Sequence, residues 1–296
     1  VDNLSGGAGN DTFTGFVTAT ANSQSLSGGD QLDGKGGSDT LSILIDTNVA
    51  ANTMTPQLTS VESVVVRNLS DAVNVDDLNL VQAPGVTSVT LNNSLGTGDT
   101  AVTNAPLAAT YAITNTPAAA AGGAIADLNV TFDAGALSGT ADTAKFSVSG
   151  AGSKAATNVA DRAIISVINA AGVEAVSLAT SGTNRVTVNG GGNDTTTLTV
   201  TGDGTNDISI ADFNATLNLN ASATTGSNTF TLGANLTSAD TVTGGSGADV
   251  LSITPTGSAS GVVVAGVETL RLEQGTTNNN NIGFASASIT TVEVRD

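Results

Sequence analysis

A short glycine–aspartate repeat constrains this chain more than any other feature. At residues 28–43, GGDQLDGKGGSDTLSI holds Asp30 and Asp39 nine residues apart. At residues 239–253, ADTVTGGSGADVLSI holds Asp240 and Asp249 at the same spacing. A third copy, GGAGNDTFT, runs from Gly6 to Thr14 and sets Asp11 behind Gly7 and Gly9. The underlying pattern, G-G-x-G-x-D-x-U-x with U apolar, describes a tight turn followed by a very short strand. One such unit cannot bury its apolar residue alone, so the pattern calls for stacked coils.

A longer repeat encloses the short one. NDTFTG at 10–15 matches SNTFTLG at 227–233, and LSI at 41–43 matches LSI at 251–253. VESVVV at 61–66 likewise matches VETLRL at 267–272. A rhythm U-x-x-U-x-U appears at Val61/Val64/Val66, Val86/Val89/Leu91, Val173/Val176/Leu178, Val267/Leu270/Leu272 and Ile289/Val292/Val294. Its last two apolar residues alternate as in a strand with one buried face, and its first sits at a bend. Together these patterns predict coils of roughly 20–25 residues. Glu62, Glu174 and Glu268 follow the bend residue and read as solvated turn residues.

Between the two ends lie short β-like runs: 128–132, 145–149, 185–189, 197–200 and 215–220, separated by Gly, Asn and Asp. Thr157 to Ala171 can be read as a helix or as strand, and Pro117 to Ala126 as a loop or linker. The expected division is a solenoid module at 1–116, a less regular β-rich region at 117–226 and a second module at 227–296. The sequence opens inside a repeat, shows no signal peptide, and reads as part of a longer or processed chain.

Composition narrows the possibilities. Aromatic residues make up 3% and Trp is absent, which suits thin repetitive β-structure built on small and β-branched residues. Eight basic against 26 acidic residues, a net charge of −18, argue against nucleic acid and anionic membranes as partners. No apolar run reaches the length of a transmembrane helix. With no His, the triads and zinc sites built on that residue are excluded. Adjacent acids such as Asp76 and Asp77 are more often a solvated turn than a glycosidase pair. The expectation is a protein without catalytic activity.

The expected site is a metal site. Ca²⁺ takes six to eight oxygens in a flexible geometry. Glycine turns can aim carbonyls at a point between coils, and each Asp adds a carboxylate. The expected ligand loops comprise Asp11, Asp30, Asp39, Asp240 and Asp249, with Gly7, Gly9, Gly28, Gly37, Gly245 and Gly247. Phe13, Leu32, Leu41, Val242 and Leu251 are expected to plug into the core behind them. The nine-residue spacing is taken to bring loops to one side for a shared ion. Lys35 and the Ser238–Ala239 pair depart from the ideal glycines. Asp194 and Asp203 are weaker candidates.

These residues resemble the RTX family of calcium-binding nonapeptide repeats. NDTFTG, the paired aspartates, DTLSI and VExUxU together look most like RTX surface proteins of Gram-negative bacteria, S-layer proteins above all. The motifs cover about a third of the chain. The resemblance implies an all-β, calcium-stabilised β-solenoid or β-roll, exported by a type I system and folded by Ca²⁺ outside the cell. It further implies a subunit that assembles with itself at the cell surface into a layer cross-linked by Ca²⁺ and anchored to surface polysaccharide. A stalk or binding region of an RTX adhesin, or the non-catalytic domain of an exported enzyme, are the alternatives.

Overall fold

The computed structural model describes residues 1–20, 23–46, 53–70, 76–94, 99–116, 127–152, 162–168, 172–192, 194–214, 216–255, 259–273, 282–286 and 288–295. Segments such as TLSILI and TLTVTG alternate apolar and polar residues with period two, and their burial alternates with them. Each segment therefore has one face to hide, and parallel stacking hides it against the facing strand of the same coil.

The result is a parallel β-solenoid without a helix among the described residues. The long sheet holds twelve strands in spatial order. They are β2 (Thr12–Val17), β4 (Thr40–Ile45), β7 (Ser63–Asn68), β9 (Ser88–Asn92), β11 (Thr110–Thr114), β13 (Thr143–Ser149), β15 (Ala175–Ser181), β17 (Thr197–Gly202), β19 (Asn218–Thr224), β21 (Thr241–Thr243), β23 (Ala259–Ala265) and β25 (Ile282–Ser286). The opposite sheet holds eleven: β5 (Thr53–Met54), β8 (Asp76–Asn79), β10 (Thr100–Ala105), β12 (Leu128–Phe132), β14 (Ala163–Ile168), β16 (Thr183–Asn189), β18 (Thr205–Ala211), β20 (Asn228–Gly233), β22 (Val250–Ile253), β24 (Thr269–Glu273) and β26 (Thr291–Arg295). A third sheet of three short strands, β1 (Asn3–Ser5), β3 (Gln31–Asp33) and β6 (Gln57–Thr59), joins the first coils. From β7 onward the chain alternates between the two larger sheets, so one coil there is two strands and two turns, whereas the coil from β4 to β7 passes through all three sheets. Both larger sheets pass through the middle of the chain, with β11 paired to β13 in the long sheet and β18 to β20 in the opposite one.

Coil length varies along the stack. Thr183 pairs with Thr205 and Asn206 with Asn228, a repeat of 22 residues. At the first coils Thr12 pairs with Thr40, a repeat of 28. The core is one continuous apolar column, with Leu41, Val64, Val89, Leu178 and Leu219 wholly or almost wholly buried. Tyr111 is its largest member; it packs edge-on against Phe132 at 5.7 Å and donates its hydroxyl proton to the Pro106 carbonyl at 2.8 Å. A buried phenol needs such a partner.

The expected plugs Phe13, Leu32, Leu41, Val242 and Leu251 are all buried. The bend–strand rhythm holds at Val61, Val86, Val173 and Val267, all buried. It fails in the fifth copy, where Val292 and Val294 on β26 are exposed. The helical reading of 157–171 is corrected where the structure describes it: 163–168 is strand β14, with Ile165 and Val167 in the core. β-branched residues there fit the stack better than a helix. The Pro117–Ala126 segment lies outside the described residues.

Candidate functional site

The glycine–aspartate loops are half-coil connections. Asp30 precedes β3 and Asp39 precedes β4, so the two stand at opposite ends of one short strand, on opposite edges of the solenoid. Asp240 and Asp249 flank β21 in the same way. The nine-residue spacing therefore does not bring those pairs together. Neighbours on one edge are a full coil apart: Asp11 meets Asp39 across 28 residues.

Within the loops the carboxylates accept backbone N–H bonds. Asp30 Oδ1 accepts from Asp2 N at 2.8 Å and Oδ2 from Ser27 N at 2.6 Å. Asp240 does the same with Leu217 N at 2.8 Å and Thr237 N at 2.6 Å. Asp11 Oδ2 takes Gly7 N and Asp249 Oδ2 takes Gly245 N, each at 2.6 Å. Asp39 Oδ1 takes Asp11 N at 2.7 Å. Each Asp thus ties its own loop, the neighbouring coil, or both. Asp194 accepts Gly172 N at 3.1 Å from an exposed position, and Asp203 lies exposed in a turn.

The three glutamates are also structural, contrary to their expected role. Glu62 accepts Asp39 N at 2.8 Å, Glu174 accepts Asp142 N at 2.7 Å, and Glu268 accepts Asp249 N at 2.9 Å. In return each Asp carbonyl accepts the Glu N–H of the next coil. This Asp–Glu clasp joins successive coils three times. Asp142 was not singled out in the sequence; its signal is the Asp–Thr pair that it shares with Asp39.

Glycine is required where loops stack backbone on backbone. A Cβ on Gly37, whose φ is 121°, would fall 2.6 Å from the Gly9 carbonyl oxygen, and one on Gly247 would fall 2.4 Å from Gly226 O. Gly36 N bonds Gly7 O at 3.2 Å, and Ser246 N bonds Thr224 O at 3.0 Å. By contrast Gly28 has only ordinary contacts with Thr55.

A second array continues the Asp249 edge. Asn184 Nδ2 donates to Asn206 Oδ1 at 2.9 Å, Asn206 Nδ2 to Asn228 Oδ1 at 2.8 Å, and Asn228 Nδ2 to Asp249 Oδ1 at 2.8 Å. All four side chains are buried. The aspartate position of the repeat is filled by asparagine in three preceding coils, each rung donating to the next. The signal was Thr/Ser-Asn-x-apolar at 22-residue intervals, at Asn184, Asn206 and Asn228.

Electrostatics follow these bonds. Burial works to raise Asp30, but the N–H groups of Asp2 and Ser27 and the Ser27 hydroxyl outweigh it and hold the carboxyl below its usual range. Asp249 is raised: burial dominates over its bonds from Asn228 and Gly245, and the Glu268 charge adds to it. Away from the loops, Asp127 is raised to about 7 by burial and by Asp99 beside it, against one bond from Ile164 N. Burial, opposed by Asn68, raises Asp76 to about 6.

The fit to Ca²⁺ is therefore narrow. Among the described residues, no three acidic side chains converge as a metal cage. In the loops of Asp30, Asp240 and Asp249, N–H donors occupy both carboxylate oxygens, and in the Asp11 loop Gly7 N occupies Oδ2. The Asp39 loop differs, because there Lys35 occupies the glycine position and sends its N–H to Asp33 Oδ1. Among the described residues, Asp39 Oδ2 is buried without a partner. It lies beside the Ser60 carbonyl: a Cβ on Gly34 would sit 2.0 Å from Ser60 O and 2.2 Å from Asp39 Oδ2. A buried carboxylate oxygen with no donor, next to a carbonyl, fits a cation.

No family model, no curated protein and no solved structure matches this chain. Among the described residues, no helix is long and apolar enough to cross a membrane.

Proposed function

We propose that this chain is a structural, non-catalytic protein of the cell surface, a self-assembling subunit of an extracellular layer of the RTX type or a segment of one. The observation that carries the reading is how the polar side chains are used. Carboxylates and amides that would serve an active site elsewhere are here committed to tying coil to coil, which makes a stiff rod. An excess of negative charge suits an exported protein that meets divalent cations. Surface polysaccharide remains its proposed anchor.

Calcium enters this reading at the Asp39 loop. Asp39 and the Ser60 carbonyl would hold the ion, which would supply the positive charge that the buried carboxylate lacks. Calorimetric titration with Ca²⁺, followed by electron microscopy, tests both parts. Binding that disappears in Asp39→Asn, together with ordered assemblies, is the expected result. Isolated rods at every protein and calcium concentration would sink the layer reading and favour an adhesin stalk. Unchanged binding in Asp39→Asn would remove the ion from that loop.

A further inference from the structure

The two broad faces of the solenoid differ in charge. The twelve strands of the long sheet carry two charged residues, Arg67 and Lys145, and no carboxylate, in a chain with 26 acidic residues. The strands of the opposite sheet carry eight charged residues, five of them acidic. Outward positions on the long sheet form rows of small hydroxyl side chains in strict register. Thr12, Thr40, Ser63, Ser88 and Thr110 lie side by side, and the row runs on through Lys145. Ser88 donates to Ser63 at 3.1 Å within it. Val65 and Val263 add apolar surface on the same face, Val263 being exposed.

We propose that the outer face of the twelve-stranded sheet is the surface through which two copies of this chain pair; the inference rests on the self-assembly reading above. Size supports it. Twelve strands at about 4.8 Å spacing and about 17 Å in length present about 900 Å², close to the roughly 800 Å² per partner of a standard interface. Charge supports it as well. Copies of net charge −18 repel one another, and this face lets them meet without setting carboxylate against carboxylate. Arg67 and Lys145 lie on the third and sixth strands of the twelve. A two-fold, antiparallel pairing places each opposite an uncharged strand of the other copy, β21 and β15 respectively.

Sedimentation velocity of the chain over a wide concentration range tests the pairing, with circular dichroism to check the fold. The wild-type chain is expected to dimerise. Ser88→Glu and Ser177→Glu, the latter at the residue that follows Lys145 in the row, add charge to it and are expected to weaken pairing at least about tenfold. Lys145→Glu places negative charge on an exposed side chain that has no ion pair among the described residues, so it tests the surface without disturbing the ladder. Thr231→Glu on the opposite face is expected to pair as wild type does. Equal pairing by all four variants would overturn this inference and leave self-assembly standing through another surface. A wild-type chain that stays monomeric throughout would overturn both.

Discussion

Asn206 uses both ends of its amide: Oδ1 accepts from Asn184, while Nδ2 faces Asn228 Oδ1, the Gly204 carbonyl and the Thr180 hydroxyl. Removing it leaves several buried polar groups without a partner, each costing about 1–3 kcal/mol. Asn206→Ala is therefore expected to lower unfolding stability by about 2–4 kcal/mol in urea titration. A loss under about 1 kcal/mol would mean that water replaces the amide. Gly34→Ala is expected to be at least as damaging, because its Cβ has no room between Ser60 O and Asp39 Oδ2. At this scale the aspartates were legible because Gly-x-Gly-x-Asp is distinctive. The asparagine rungs were not, since Asn in a Gly/Asn-rich chain reads first as a turn residue. The glutamates were misread for a related reason. Nothing local to Glu62 indicates that the amide of Asp39, one coil away, needs an acceptor.

Strand elements were the most legible level, because alternation of period two survives in the Val- and Thr-rich runs that became β7, β9, β16 and β17. Their assignment to faces was not legible, since a motif says that a turn occurs and not which sheet follows. The edge where β10 and β12 begin carries a pH prediction. Asp99 and Asp127 immediately precede Thr100 and Leu128, which pair in register. Their carboxyls thus crowd one another, and Arg162 nearby is bonded to Asp207. Because Asp127 is raised when folded, the native state holds its proton where the unfolded chain has lost it. Its burden on stability is absent below the ordinary Asp range and complete above about 7. Thermal midpoints are expected to rise on acidification from about pH 8 to about pH 5. Asp127→Asn is expected to raise the midpoint at the alkaline end and flatten the slope. A midpoint that falls steadily over that window would contradict this account. Below it, the opposite sign takes over as Asp30, held low when folded, becomes protonated.

For the whole molecule, a charge of −18 makes association sensitive to salt. Pairing through the long sheet is expected to tighten as sodium chloride is raised, because screening relieves repulsion between copies and the face itself contributes few ion pairs. Sedimentation equilibrium across a salt series measures this, and pairing that weakens with salt would point to an interface built on opposite charges instead. The solenoid as a whole was legible from repetition, but its phase was not. The loops ending at Asp11 and Asp39 lead into the long sheet, whereas the loop ending at Asp249 leads into the opposite one. The two matching modules therefore sit half a coil out of step, and one motif serves both sides of the rod. The unit that repeats is thus a single strand with its turn. A gene encoding such a rod can lengthen by an odd or an even number of these pieces. Each odd addition turns every later loop to the other side and reshuffles the surface while leaving the core untouched.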